Sequence, residues 1–165
     1  IFINIFKQLK NNFRIENIYF IWLGGNQNTS WFIDLENEIN NLGFKGKIKI
    51  LPEVKNTTNF YNAIDIYIST AREEPFGLTI IEAGIHSKPC LAFTGSGGPE
   101  SILSNDVGIL IPYGDTKAAA EEIIKLKENQ EILNKYSKSI NDLVIKIARQ
   151  DNNLKYKEII DSFMP

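Results

Sequence analysis

The segment from Glu74 to Glu82 contains the residue types that could bind a phosphorylated sugar. A carboxylate only accepts hydrogen bonds, so each glutamate can accept them from sugar hydroxyl groups. A helix is predicted to begin between the two, and its first N–H groups, from Gly77, Leu78 and Thr79, would be open to a phosphate. The two carboxylates could therefore hold opposite ends of one nucleotide-sugar.

The position of Glu82 within this predicted helix fits a ribose. Glu82 follows Leu78 by one turn, so both lie on one face, about 6 Å apart along the axis. That rise is close to the separation between the diphosphate and the ribose of a nucleotide. We expect Glu82 to bind the ribose diol and Glu74 to lie beside the sugar. Glu73 is the competing choice for the second role.

A glycine-rich loop follows the next predicted strand and would reach the same edge of the sheet. Gly97 and Gly98 would let the backbone approach a ligand, although a plain turn is the alternative, and Pro99 could start a short helix. Glu100 could contact a sugar hydroxyl or orient the loop. A glutamate at a helix start is also often only a partner of the helix dipole.

The elements that would position these residues alternate between helix and strand, which predicts a Rossmann-like, doubly wound α/β fold with a parallel sheet covered on both faces. The hydrophobic pattern predicts helices at 1–12, 30–42, 57–63 and 77–87, another from Asp115 or Thr116, and helical structure over 130–162. It predicts strands at 18–23, 47–51, 64–68, 89–93 and 107–111.

The order of these elements lacks an expected first strand. A doubly wound unit normally opens with a strand that lies at the centre of the sheet, whereas this sequence opens with a helix. Either the leading strand lies upstream in a longer parent, or the sheet is built differently. We favour the first interpretation and expect residues 1–165 to be one domain truncated at its N-terminus, with terminal helices over 130–165.

The segment from Glu74 to Ala83 resembles the signature of glycosyltransferase family 4, whose members are retaining enzymes with the two-domain GT-B fold. It contains the two glutamates of that signature, with Phe-Gly-Leu after the first and Ala after the second. The resemblance covers about residues 2–127. Further matches follow in order at Gly84, Lys88-Pro89, Cys90 to Phe93, Gly97-Gly98 and Glu100.

The resemblance implies the C-terminal, donor-binding half of a GT-B enzyme. Glu82 would then bind the ribose of the donor, and Glu74 would contact the transferred sugar near its reacting carbon. Phe76, Gly77 and Leu78 would supply backbone contacts to the sugar and diphosphate. Retention would proceed by front-face attack, with no metal and no cofactor beyond the nucleotide-sugar itself.

Two parts of the family pattern have no match in this sequence. One is the Arg/Lys pair that grips the diphosphate, and the other is the acceptor-binding domain that would precede it. A diphosphate without those cations is poorly neutralised, so we expect weak donor binding and no turnover by this chain alone. Arg72 could offer a charge, but it is more simply a surface residue.

Composition favours a cytoplasmic protein that does not bind nucleic acid. The net charge is −2, no signal peptide is visible, and the longest apolar run, from Ile18 to Leu23, is too short to span a bilayer. The single Cys90 excludes an internal disulfide. Beside the donor, the expected acceptor is a glycan or a lipid-linked sugar, and the parent could associate peripherally with a membrane.

Two rival functions stay open: a non-catalytic nucleotide-sugar-binding module, and a nucleotide-sugar epimerase of the same fold. An epimerase needs additional acid and base groups, and His86, the only histidine, is interpreted as structural. Residues 51–54 and Gly24-Gly25 are candidates for contacts with the nucleotide. Cys90 and Trp22 are expected in the core, and packing is also the preferred role of Trp31. The donor base and sugar, the acceptor and the oligomeric state are not set by the sequence.

Overall fold

The computed structural model describes residues 1–149 and 154–163, and helices and strands alternate along the chain as far as α6. The helices are α1 (Phe2–Asn12), α2 (Ser30–Asn41), α3 (Thr58–Ala63), α4 (Leu78–Ile85), α5 (Gly98–Leu103), α6 (Thr116–Glu128), α7 (Gln130–Arg149) and α8 (Leu154–Phe163). The strands are β1 (Phe20–Gly25), β2 (Ile48–Pro52), β3 (Tyr67–Ile68), β4 (Cys90–Phe93) and β5 (Ile109–Ile111).

The strands form two parallel ladders. β1 pairs with β2, and β3, β4 and β5 pair in that order. The predicted parallel α/β architecture is therefore confirmed, but the single continuous sheet is not, because β1 and β3 share no ladder among the described residues.

β3 is shorter than predicted. The apolar alternation predicted a strand over 64–68, whereas the ladder with β4 contains only Tyr67 and Ile68, which pair with Cys90 and Leu91. A strand is defined by its partner, so the residues before Tyr67 are not part of one. Other bounds shift by about two residues: α4 ends at Ile85 instead of 87, and β5 begins at Ile109 instead of 107.

β4 separates two apolar layers. Leu91 and Phe93 belong to the core formed with α1 and α6, whereas Cys90 and Ala92 belong to a second core with Tyr61 and other residues of α3 and α4. All four β4 residues are fully buried, as expected for a parallel strand covered by helices on both faces.

The C-terminal helices pack against α4. A Cβ atom at Gly84 would lie 2.7 Å from Val144 Cγ2 and 2.9 Å from Ile140 Cγ1, so glycine allows α4 and α7 to approach closely. Ile160 of α8 is also buried in this region. The described residues of the stretch predicted to be helical over 130–162 form α7 and α8, and residues 150–153 and 164–165 lie outside the described residues. None of the described helices combines the length and apolar character needed to cross a membrane.

Candidate functional site

The loop after β3 places the carboxylate of Glu74 at the start of α4. Its Oε1 accepts the N–H groups of Phe76 and Gly77, both at 3.2 Å. Gly77 is the N-cap residue and has the left-handed φ of 65°, which glycine adopts without steric cost. The Gly77 amide, predicted to be open to a phosphate, therefore donates to Glu74. The predicted phosphate site is reduced to the next two amides, those of Leu78 and Thr79.

This loop is joined to the glycine-rich loop after β4. The Glu74 N–H donates to the Ser96 carbonyl at 2.9 Å, and the Gly98 N–H donates to the Glu74 carbonyl at 2.7 Å. A Cβ atom at Gly98 would lie 2.5 Å from the carbonyl carbon of Phe76 and 2.6 Å from the Gly77 nitrogen. The two segments that the sequence predicted to bind one ligand are thus in direct contact. Close packing of backbone explains the glycine at 98.

The side chain of Glu100 holds the second loop in shape. Its Oε2 accepts the Gly95 N–H at 2.8 Å. Buried Ser96 adds a hydrogen bond from its hydroxyl to the Phe93 carbonyl at 2.6 Å. Glycine at 97 is required by a positive φ of 89°. The hydrogen bond from Gly95 corresponds to one of the two roles predicted for Glu100, which is to orient the loop.

Glu82 lies in the second turn of α4, half-buried, with one carboxylate oxygen held in place. Its Oε2 accepts the hydroxyl of Tyr61 at 2.9 Å. Tyr61 is only 3% exposed, and its hydroxyl also lies 3.4 Å from the Thr79 carbonyl. Burial raises the pKa of Tyr61, and the neighbouring Tyr67 and Glu82 raise it further, so the phenol stays protonated and donates. A carboxylate has a second oxygen, which leaves Glu82 able to accept from a ligand.

Tyr67, on β3, lies within electrostatic reach of both glutamates. Burial raises the pKa of Tyr67 to about 12, a hydrogen bond with Thr79 opposes the rise, and the charges of Glu82 and Glu74 add to it. Both carboxylates thus lie close enough to Tyr67 to influence the pKa of its hydroxyl.

His86 supports Tyr61 from the other side. The two rings stack with centroids 5.5 Å apart and 12° between their planes, and His86 Nδ1 lies 3.0 Å from Asn62 Oδ1. The edge of the imidazole also contacts Phe163 of α8. Burial lowers the pKa of His86, and the charge of Lys88 lowers it further. These contacts fit the structural role that the sequence analysis assigned to it.

The remaining candidates are spread along the surface and the core. Phe76 is 51% exposed beside the site, and Leu51 and Val54 are exposed at the end of β2. The predicted core position of Cys90 is confirmed, and burial raises the pKa of its thiol. Trp22, also predicted to be core, is only half-buried and packs edge-on against Phe2.

The other candidates from the sequence are two glycines at the end of β1, one arginine and one tryptophan. Gly24 is exposed, whereas Gly25 packs against Ile50 and Phe32. Arg72 is exposed, as its surface interpretation predicted, and Trp31 is 44% exposed. Within residues 1–149 and 154–163, no group of three or more His, Cys, Asp and Glu side chains is arranged to hold a metal ion.

Tyr61 is the site residue that sequence reasoning missed. The pattern placed it correctly in the short helix before β3, but one turn of helix does not show which element a side chain faces. The available signal was chemical, because a buried tyrosine hydroxyl almost always has a hydrogen-bond partner. The carboxylate of Glu82 on the next helix is that partner.

Comparison with known proteins finds a family whose model matches this chain. The model of the family described as glycosyl transferases group 1 matches residues 1–142. Among curated proteins, N-acetyl-alpha-D-glucosaminyl L-malate synthase of Bacillus anthracis is 29% identical over 94 residues, which are 57% of this chain and 25% of that protein. A probable sucrose-phosphate synthase of Thermosipho melanesiensis is 35% identical over 101 residues, 56% of this chain and 22% of that one. The matched region is thus about a quarter of these relatives.

Solved structures share the fold at low sequence identity. The C-terminal domain of a glycosyl transferase group 1 family protein, LpcC, from Francisella tularensis has a TM-score of 0.71 at 19% identity, covering 87% of this chain and 77% of that one. Anabaena HepE in complex with UDP-glucose has a TM-score of 0.76 at 22% identity, covering 96% and 43%. These matches show the GT-B C-terminal fold.

Proposed function

The chain belongs to the glycosyl transferases group 1 family, and on that premise we propose that it is the donor-binding part of a retaining glycosyltransferase. The observation that carries the proposal is the Tyr61–Glu82 hydrogen bond. It holds a half-buried carboxylate one turn from the amide end of α4. A carboxylate fixed at that distance from helix N–H groups suits a ligand with a diphosphate at one end and a diol at the other.

Different residues around α4 bind different parts of the donor. Glu82 accepts the ribose hydroxyls, and the amides of Leu78 and Thr79 bind the diphosphate with the help of the helix dipole. Gly77 and Gly98 allow the backbones of the two loops to pack closely against each other beside the site. Glu74 contacts the transferred sugar through Oε2, since its Oε1 already accepts two amides.

The reaction we propose transfers a hexosyl group with retention of anomeric configuration. The acceptor hydroxyl attacks the anomeric carbon from the face that the diphosphate leaves, and the departing phosphate oxygen takes the proton. Glu74 lies where positive charge develops on the sugar, and a carboxylate there stabilises it. The protein supplies binding and electrostatics, with no metal and no cofactor other than the donor.

The rest of the reaction requires parts outside this chain. We propose an acceptor-binding domain that precedes these 165 residues, which themselves form one domain, and basic groups that neutralise the diphosphate. A growing glycan or a lipid-linked sugar is the acceptor class, at the cytoplasmic side of a membrane that the parent touches peripherally. One sequence relative, CapM of Staphylococcus aureus, is a capsular polysaccharide biosynthesis glycosyltransferase, and it is 26% identical over 85 residues, 52% of this chain and 22% of that one.

A nucleotide-sugar epimerase of the same fold fits the described site less well. Epimerisation needs groups that remove and return protons, which are usually histidines or carboxylates of raised pKa. His86 is the only histidine in the sequence, and it is stacked behind Tyr61. A non-catalytic binding module would use the same contacts as the donor domain, so only an activity assay on a chain with an acceptor domain separates the two.

A titration followed by nuclear magnetic resonance tests the donor site. UDP, GDP and ADP, each with and without a glucose substituent, are added to the isotope-labelled chain. We expect millimolar or weaker binding, because the phosphate-binding cations are missing, with the largest shifts at Leu78, Thr79 and Glu82. Shifts confined to another surface would overturn the assignment.

A matched pair of variants separates binding from folding. Glu82→Gln keeps an oxygen that can accept from Tyr61 but removes the charge. We expect it to lower the affinity for the nucleotide diphosphate that binds most tightly by roughly 10-fold or more. Glu128→Gln, on an exposed position of α6, is the control and should leave the affinity unchanged. Equal affinities for both variants would exclude Glu82 from the site.

A further inference from the structure

The ring of Tyr61, whose hydroxyl donates to Glu82, packs against two other rings. His86, at the end of α4, stacks on it with centroids 5.5 Å apart and 12° between the planes. Tyr67 of β3 lies at 6.0 Å with its ring tilted by 54°. Tyr61 is only 3% exposed, so packing determines its orientation. The stack with His86 therefore also affects the carboxylate that Tyr61 contacts.

The hydroxyl of Tyr61 has two acceptors within reach. Glu82 Oε2 lies at 2.9 Å and the Thr79 carbonyl at 3.4 Å. A phenol hydroxyl has a single hydrogen to donate, so a small displacement of the ring would transfer the shorter hydrogen bond from Glu82 to Thr79. Glu82 would then lose the contact that orients it. The support of the ring thus decides which acceptor is used.

The imidazole of His86 is in turn held by α3 and α8. Its Nδ1 lies 3.0 Å from Asn62 Oδ1, and because an amide oxygen only accepts, Nδ1 carries the hydrogen of the neutral ring. Its Nε2 is buried and has no hydrogen-bond partner in the part of the chain that the structure describes. The ring of Phe163 stands at 86° to the imidazole, with centroids 5.6 Å apart. A neutral imidazole fits this place, since its Nε2 has no hydrogen to donate.

Protonation would disturb this arrangement. It places a hydrogen on Nε2, where the N–H would be buried without an acceptor. A charged imidazole on the face of Tyr61 gains a cation–π attraction. Burial and the positive charge of Lys88 act in the opposite direction and lower the pKa of His86 below its ordinary value of about 6.5. The neutral, stacked form is therefore present at pH 7.5, and the charged form appears only below about pH 6.5.

Lys88 is the charged residue that affects the imidazole most directly, and its Nζ lies 3.5 Å from the Asn62 carbonyl. The sequence of α3 has no charged residue, and that of α4 has only Glu82. On α8, the side chains of Glu158 and Asp161 are exposed. The protonation state of His86 is thus set mainly by its burial and by Lys88.

We propose that His86 is a positioning residue for nucleotide binding, because its neutral ring, held by Phe163 of α8, keeps the Tyr61 hydroxyl on Glu82. Protonation of the ring, or loss of Phe163, releases the hydroxyl to Thr79 and leaves Glu82 without its orienting contact. Nucleotide affinity then falls at mildly acidic pH. This effect on affinity rests on the proposed function, whereas the link between His86 and Tyr61 does not.

The first measurement needs no nucleotide. Nuclear magnetic resonance follows the Cζ carbon of isotope-labelled Tyr61, whose chemical shift reports the hydrogen bond of the hydroxyl, and the Tyr61→Phe spectrum assigns the signal. We expect the signal to move further between pH 7.5 and pH 5.5 in the unmodified chain than in His86→Phe, whose ring can stack but cannot titrate. In His86→Ala the signal should lie near its low-pH position at both pH values.

The second measurement is the affinity for whichever of UDP, GDP and ADP binds most tightly. From pH 7.5 to pH 5.5 the unmodified chain should lose about threefold or more in affinity beyond the loss in His86→Phe. Any change caused by titration of the ligand is common to both chains. At pH 7.5, His86→Ala and Phe163→Ala should each bind about threefold or more weakly. Ile132→Ala, in α7 against the first core, is the control for a general loss of stability and should bind normally.

An acidic residue beside the imidazole provides a sharper test. Asn62 is exposed, so Asn62→Asp should be tolerated by the fold. A carboxylate that accepts from Nδ1 favours the charged imidazole, so the pH at which affinity falls should move upward. A histidine that only fills space would show no such shift.

The two measurements separate failure of this proposal from failure of the proposed function. The same Tyr61 signal in His86→Ala and in the unmodified chain would overturn the proposal, whether or not a nucleotide binds. A signal that responds while affinity stays constant would overturn the role of His86 in positioning Glu82 for binding. A signal that responds in a chain that binds none of the three nucleotides would support the link between His86 and Tyr61 and contradict the donor site.

Discussion

The two ladders differ in how deeply their strands are buried, although similar apolar runs predicted β1 and β4. β4 is fully buried and is paired on both sides, and its neighbouring loops are interlocked by hydrogen bonds between Glu74, Ser96 and Gly98. β1 was predicted from an equally apolar run, yet Ile21, Trp22 and Leu23 are only half-buried. Apolar sequence therefore predicts where a strand forms, while burial depends on the neighbours that the strand receives.

The largest expected difference is between two leucines, one from each ladder. Leu91 is fully buried in β4, so Leu91→Ala should lower the free energy of unfolding by about 2–5 kcal/mol through the lost contacts and the cavity left behind. Leu23, half-buried in β1, has less to lose, and Leu23→Ala should cost less than about 1.5 kcal/mol. Urea denaturation measures both. Equal costs would contradict the comparison.

The next effect concerns the contact between the two site loops. Gly98→Ala places a Cβ atom within 2.6 Å of the Gly77 nitrogen, and both segments are backbone, so neither can move freely. We expect a loss of about 1–3 kcal/mol in the free energy of unfolding. Gly95→Ala is the control: its φ of 77° is strained, but nothing lies within 4 Å of the added atom. Its expected cost is about 1 kcal/mol.

Removing the hydroxyl that holds Glu82 should have a smaller effect on folding and a clearer effect on binding. Tyr61→Phe breaks the 2.9 Å hydrogen bond, which should cost about 0.5–1.5 kcal/mol of unfolding free energy. It should also weaken nucleotide binding several-fold because the carboxylate is no longer oriented. Tyr113→Phe, at an exposed ring that packs on Phe93, is the control in both thermal melts and titrations. If Tyr61→Phe binds the nucleotide as tightly as the unmodified chain, the Tyr61 hydroxyl does not position Glu82 for binding.

The smallest expected effect is a pH dependence carried by His86. Its folded-state pKa is lowered by burial and by Lys88, so the unfolded chain binds the proton more tightly than the folded one. The stabilising contribution of neutral His86 is complete above the ordinary histidine pKa of about 6.5 and is lost as the pH falls below it. Unfolding free energies at pH 8 and pH 5.5 should differ more in the unmodified chain than in His86→Gln. An identical difference in the two would refute this.

The sequence predicted much of the fold because its periodic patterns are local. The bounds of α1, β1 and β4 agree with the pattern within about two residues, and the Glu74–Glu82 spacing correctly placed the second glutamate on α4. Contacts between elements were harder to predict. Capture of the Gly77 amide by Glu74 depends on a loop conformation, and the Tyr61 contact depends on how α3 packs against α4. The break between β1 and β3 depends on a strand order that these patterns alone do not encode.

The proposed contact between Glu82 and the ribose of a nucleotide donor can be tested by removing each of its two partners in turn. Affinities are measured for UDP and its 2′,3′-dideoxy form, with the unmodified chain and with Glu82→Gln. If Glu82 binds the ribose, losing the two hydroxyls should weaken binding roughly tenfold or more in the unmodified chain and far less in the variant. The same loss in both proteins would show that the hydroxyls and Glu82 do not interact, and would contradict the claim.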